Sequence, residues 1–177
     1  MINIVLHQPE IPFNTGAIGR TCVATGSALH LIYPLGFILN DRYVRRAGMD
    51  YWDRLDLTEY NDYDDFCEKN EGLTYNGEDS PDKPGSKLWF ATTKARQCYS
   101  DVHFGPDDYI MFGKESAGIP EEILVEHPGA CIRIPMLGDT RSLNLSNSVA
   151  IVLYEALRQN GFPGLNEMGN LHRLSWS

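Results

Sequence analysis

Cys131-Ile132-Arg133-Ile134-Pro135 runs through Met136-Leu137-Gly138-Asp139-Thr140 into Arg141-Ser142-Leu143-Asn144-Leu145-Ser146-Asn147-Ser148. This stretch reads as a strand over 131–135, a short loop and a polar helix start. Serine and asparagine are poor interior helix formers and good hydrogen-bonders. Their density here exceeds what a single cap requires. Beyond them Val149, Val152, Leu153, Ala156 and Leu157 form an apolar stripe at helical spacing. The helix is expected over about 144–159, closed by Gly161 and Pro163.

The same strand-to-helix alternation extends back to the amino terminus. Strands are expected at 2–6, 28–33, 55–60, 87–92 and 109–112. Helices are expected to Gly26 with Asn14 or Thr15 as the cap, at 63–70, and from Pro120, which a first turn tolerates, with a short basic helix at 41–47. Such alternation predicts an α/β fold with a largely parallel sheet flanked by helices. The 177 residues suit one domain, and 42% hydrophobic content can supply its core. Residues 71–86 are polar, with glycine and proline throughout, and read as a surface insertion. The chain divides into a domain over 1–164 and a tail over 165–177.

The net charge of −9 counts against a non-specific nucleic-acid coat, which needs a broad basic surface. It leaves room for an enzyme with a local basic patch. Ten of the fifteen cations are arginine, the better partner for phosphate. Cys22, Cys67, Cys98 and Cys131 are far apart with no C-x-x-C pair, which argues for reduced thiols rather than a zinc site. The amino terminus has no basic, long apolar leader, and no apolar run could span a bilayer. A cytoplasmic protein away from membranes is expected.

Two further segments carry chemistry. Asn14-Thr15-Gly16-Ala17-Ile18-Gly19-Arg20 opens a helix with small residues and places an arginine one turn in, where it could face an anion. It is not the dinucleotide fingerprint G-x-G-x-x-G. Tyr109–Pro120 reads as a strand ending at Gly113, then the loop Lys114-Glu115-Ser116-Ala117-Gly118. Strand carboxyl ends are where open α/β sheets bind ligands, and Gly113 would let a flat ligand lie against the backbone. The loop is neither a phosphate-binding G-K-[ST] nor a serine-nucleophile elbow.

The three segments in this order resemble the SPOUT superfamily of RNA methyltransferases. More narrowly, they resemble the small tRNA wobble-nucleotide ribose 2′-O-methyltransferases. H-Q-P-E-I-P-F-N at 7–14 and R-R-A-G-M-D-Y at 45–51 extend the resemblance over nearly the whole chain. It implies a carboxyl-terminal trefoil knot, S-adenosylmethionine bound in that knot, no metal, and a homodimer to which the helix bearing Tyr154 contributes. By motif position, Ala91, Gly113, Ile134, Met136, Ser142 and Leu143 would line the donor pocket. Arg20 would grip a phosphate or the 2′-oxygen, because a guanidinium stays charged and is a poor base. Asn14, Glu115, Ser142 and Asn144 would orient it or the ribose, and His7 is a further candidate proton acceptor. Arg42, Arg45, Arg46, Lys94 and Arg141 would hold tRNA phosphates around the anticodon loop. The alternatives are a ribose methyltransferase of rRNA or another tRNA position, and a non-catalytic donor- and RNA-binding protein.

Overall fold

The computed structural model describes residues 1–39, 51–75, 85–138 and 141–176. The expected basic helix at 41–47, with Arg42, Arg45 and Arg46, lies outside the described residues.

Seven strands form one sheet: β1 (Asn3–His7), β2 (Ala28–Ile32), β3 (Leu57–Tyr60), β4 (Leu88–Ala91), β5 (Gln97–Cys98), β6 (Tyr109–Phe112) and β7 (Cys131–Arg133). Their order is β3-β2-β1-β6-β4-β7-β5, and every neighbouring pair is parallel. Both sheet faces are covered, so β1 and β2 are buried at all five positions each. Ile4 and Leu6 of β1, Trp89 of β4, and Ile110 and Phe112 of β6 face one layer. There they meet Ile18 and Cys22 of helix α1 (Pro12–Thr25) and Val149, Val152 and Leu153 of helix α4 (Leu145–Gln159). Val5, Leu88, Phe90 and Met111 face the other layer, with Phe66 of α2 (Tyr63–Lys69) and Leu124 of α3 (Glu121–Glu126). The alternation is the period-two pleat read out residue by residue.

Several boundaries differ from expectation, β3 starting two residues late among them. Helix α1 opens at Pro12, with Ile11 as a cap that makes no side-chain bond. Proline fits a first helical position because its missing N–H would be unpaired there anyway. Asn14 and Thr15 are therefore not caps but buried residues of the first turns. Pro120 stands just before α3 instead of within its first turn. Strand β7 ends at Arg133, two residues early, and the two-residue β5 is too short for any periodicity to announce. The amino end of α4 is capped by Asn144, whose side chain accepts from the Ser146 N–H at 2.9 Å and the Asn147 N–H at 3.3 Å. Such a cap contributes about 1 kcal/mol.

Thr74 forms an isolated parallel bridge with Lys87, which holds the described ends of the 71–86 segment together beside β4. No described helix is long and apolar enough to cross a membrane.

Candidate active site

The carboxyl ends of β4, β6 and β7 open into a cavity of about 630 Å³. That volume lies within the usual range for a cofactor-sized ligand. Its walls come from the segments that follow each strand. These are 91–94 after β4, 113–118 after β6, and Arg133, Ile134 and Met136 at and beyond the end of β7. Residues 141–145, leading into α4, add to it, as do Ile11, Asn14, Tyr99, Ser148 and Val152. The carboxyl end of a parallel sheet collects these segments because each crossover must leave the sheet there.

Gly113 is required by the protein's own backbone. A Cβ built on it would stand 2.0 Å from the Gly118 carbonyl carbon and 2.1 Å from the Ile119 nitrogen. The 114–118 turn folds back over this glycine, closed by Gly118 N–H donating to the Lys114 carbonyl at 2.8 Å, with Gly118 at φ +74°. The expectation that Gly113 makes room for a flat ligand is thus corrected in one respect. The space where its side chain would stand is filled by the turn, although the residue still lines the cavity.

Residues more than a hundred positions apart meet in one hydrogen-bonded line. The Asn14 amide donates to Glu115 Oε1 at 2.8 Å. Its carbonyl oxygen accepts from the Asn144 amide at 3.0 Å, and Asn144 in turn caps α4. Glu115 also accepts from the Glu10 N–H at 2.8 Å and the Ile11 N–H at 3.3 Å. Asn14 is buried, so both ends of its amide must be paired, and they are.

Charge around the cavity departs from that of the whole chain. Among the described residues, Lys94, Lys114, Arg133 and Arg141 line it, with Glu115 as the one carboxylate. Lys94 pairs with Glu121 at 2.9 Å. Cationic side chains thus gather around the opening of a molecule with net charge −9.

Of the residues singled out from sequence, Asn14, Ala91, Lys94, Gly113, Glu115, Ile134, Met136, Arg141, Ser142, Leu143 and Asn144 all line this cavity. Arg20 does not. It lies on the exposed side of α1, with its guanidinium carbon 4.9 Å from the centre of the Tyr51 ring. Tyr154 is exposed on α4, away from the cavity. His7 is buried at the end of β1, edge-on to Tyr63 and outside the cavity. Burial and the nearby Lys114 charge hold its pKa below the ordinary histidine value. Thr92, Tyr99, Lys114 and Arg133 line the cavity and were not selected from sequence. Arg133 stood inside a quoted motif, whereas nothing in the sequence distinguishes Tyr99.

An all-parallel α/β sheet with a cofactor-sized cavity at its carboxyl edge defines the class of protein. The chain belongs to the SpoU rRNA methylase family, whose model matches residues 1–154. It is 49% identical over 165 residues to the tRNA (cytidine(34)-2′-O)-methyltransferase of Photorhabdus asymbiotica, covering 93% of this chain and 97% of that relative. A solved structure described as "Structural insights into the 2-OH methylation of C/U34 on tRNA" superposes with a TM-score of 0.78. The two share 39% identity over 91% of this chain and 97% of that one. The fold is shared with an AdoMet-bound rRNA methyltransferase from Sinorhizobium meliloti at a TM-score of 0.73 and 24% identity, over 89% of this chain and 56% of that one.

Proposed function

We propose that this chain transfers a methyl group from S-adenosylmethionine to the ribose 2′-hydroxyl of the wobble nucleotide, cytidine or uridine 34, of tRNA. The observation that carries the reading is the convergence of three distant segments, through Asn14, Glu115 and Asn144, on one cavity at the sheet's carboxyl edge. The relative named for methylation of cytidine 34 supports the choice of nucleotide.

The cavity suits the donor on chemical grounds. Ala91, Ile134, Met136 and Leu143 offer apolar walls, and the 113–118 segment offers backbone groups to an adenine edge. When bound, the donor supplies an electrophilic sulfonium methyl. The protein's own residues must hold the acceptor oxygen in line with it and keep water out. In this reading Asn14, Glu115, Ser142 and Asn144 fix the ribose side of the cavity. Lys94 and Arg141 hold flanking phosphates, together with Arg42, Arg45 and Arg46.

The reading includes a methyltransferase domain over 1–164 followed by a tail, a trefoil knot in its carboxyl-terminal part, and a homodimer in the cytoplasm. Phe13 and Tyr154 support the dimer, being 69% and 46% exposed on helices α1 and α4, which pack side by side. Arg20 stands two helical turns from Phe13 on the exposed side of α1. It would therefore act on charge in the transition state at a subunit boundary rather than in its own chain's cavity.

Incubation of the protein with unmodified tRNA transcripts and methyl-labelled donor, followed by nuclease mapping by mass spectrometry, tests this. One ribose methyl at nucleotide 34 is expected. Methylation only of rRNA or of another tRNA nucleotide would replace the substrate, and no transfer to any RNA would refute the enzyme.

A further inference from the structure

We infer that Glu10 is a positioning residue for the transfer reaction, acting through Glu115 and Asn14. The inference rests on the function proposed above. Glu10 and the 114–118 turn exchange hydrogen bonds in both directions. Ser116 donates its N–H to Glu10 Oε2 and its hydroxyl to Glu10 Oε1, both at 2.9 Å. In return, the Glu10 N–H donates to Glu115 Oε2 at 2.8 Å. Carboxylates brought together from two segments would repel each other if left without donors. Here each is held by donors from the other's segment.

The two segments are not equally anchored. The Gln8 N–H donates to the Ile32 carbonyl at the end of β2, and the Gly36 N–H donates to the Pro9 carbonyl, each at 2.9 Å. A Cβ on Gly36 would stand 2.7 Å from the Glu10 Cα, so the backbones pack directly. The 8–11 loop is thus fixed to the amino-terminal half of the sheet, while the 114–118 turn projects from β6 over the cavity. Glu10 is the strut between them. By setting where the turn lies, it sets where the Glu115 carboxylate meets the Asn14 amide and hence the line to Asn144. The Ser116 hydrogen bonds also keep the Glu10 carboxyl below the usual glutamate range. The strut therefore stays ionised at neutral pH.

Removing the strut leaves the turn's own closing bond at Gly118 and the floor at Gly113 in place. The donor should then still bind while alignment of the ribose suffers. Misplacement by about 1 Å can cost on the order of a hundredfold in rate. The test compares wild type with Glu10→Ala, Glu10→Gln and Ser116→Ala in three measurements. These are hydrogen exchange at the Ser116 amide without ligand, affinity for S-adenosylhomocysteine, and single-turnover methylation at saturating donor. Expected for Glu10→Ala are exchange faster by about tenfold or more, affinity within about threefold, and a rate lower by about tenfold or more. Glu10→Gln keeps one acceptor and should fall between, and Ser116→Ala should show the smaller loss. Unchanged exchange overturns the strut. Faster exchange with an unchanged rate, or a rate loss matched by a lost folded fraction, overturns the positioning role. Absence of transfer by wild type would refute the proposed function instead, and exchange would still decide whether the strut exists.

Discussion

His30 and Asn14 are both buried polar residues on the amino-terminal elements, and their surroundings differ in one respect. The His30 network is closed. Its Nδ1 meets the Tyr60 hydroxyl at 2.9 Å and its Nε2 meets Asn3 Oδ1 at 3.2 Å. Asn3 uses its amide hydrogens on the carbonyls of Met1 and Asp107, so its oxygen accepts and His30 Nε2 carries the proton. Burial pushes the His30 pKa down to about 4, which keeps the ring neutral. The Asn14 network is open, because both its neighbours, Glu115 and Asn144, line the cavity. A closed network satisfies itself and fixes the fold, whereas an open one presents ordered polar groups to whatever enters. Burial alone does not mark a functional polar residue; where its hydrogen bonds lead does.

Four changes would break or sharpen that contrast. The largest effect is expected from Gly113→Ala. The new methyl group would collide with backbone at 118–119, displacing the turn that carries Glu115. A stability loss of about 3 kcal/mol, seen in urea denaturation, should accompany loss of donor binding. Next, Asn14→Ala cuts the open line at its middle. A rate loss on the order of a hundredfold is expected in single-turnover methylation, with a stability loss of about 1–2 kcal/mol for the unpaired partners.

The closed network is probed by pH. An unfolded chain protonates His30 below about 6.5, while the folded chain resists until about 4. The unfolded state therefore binds the extra proton between those values. Stability is full above pH 6.5 and falls as pH drops towards 4, by about 3 kcal/mol from this residue. Denaturation midpoints across pH 4–7 check this, and His30→Phe should flatten the slope. The smallest effect is expected from Arg141→Gln, which removes one exposed cation from the cavity rim. The logarithmic salt slope of RNA binding should shrink by about 1, with donor affinity unchanged.

Much of this architecture could be read from the chain. Buried parallel strands advertise themselves as apolar runs, and 2–6, 28–33 and 109–112 lie within a residue or two of β1, β2 and β6. The stripe from Val149 to Leu157 marked the core side of α4 because packing selects apolar residues at that spacing. Eleven of the proposed site residues share one cavity because the motif segments each follow a strand of the same sheet. What local pattern could not convey was partnership at long range. Asn14 looked like a cap because capping and cross-loop bridging use the same amide, and Pro12 was the stronger start signal. Gly113 looked like ligand space because a glycine required by the protein's own turn has the same sequence signature. Glu10 stood inside the 7–14 motif but was given no role, since its partner Ser116 is 106 residues away. Arg20 was expected from its motif to face an anion, yet nothing in that motif said which way the exposed side of α1 would point.

The most direct test of the account is a crystal structure of the protein with S-adenosylhomocysteine. The nucleoside is expected between the 113–118 turn and residues 134–136 and 141–143, against Gly113, Ile134 and Leu143. Nucleoside density elsewhere in the molecule, or an empty cavity at saturating ligand, would contradict it.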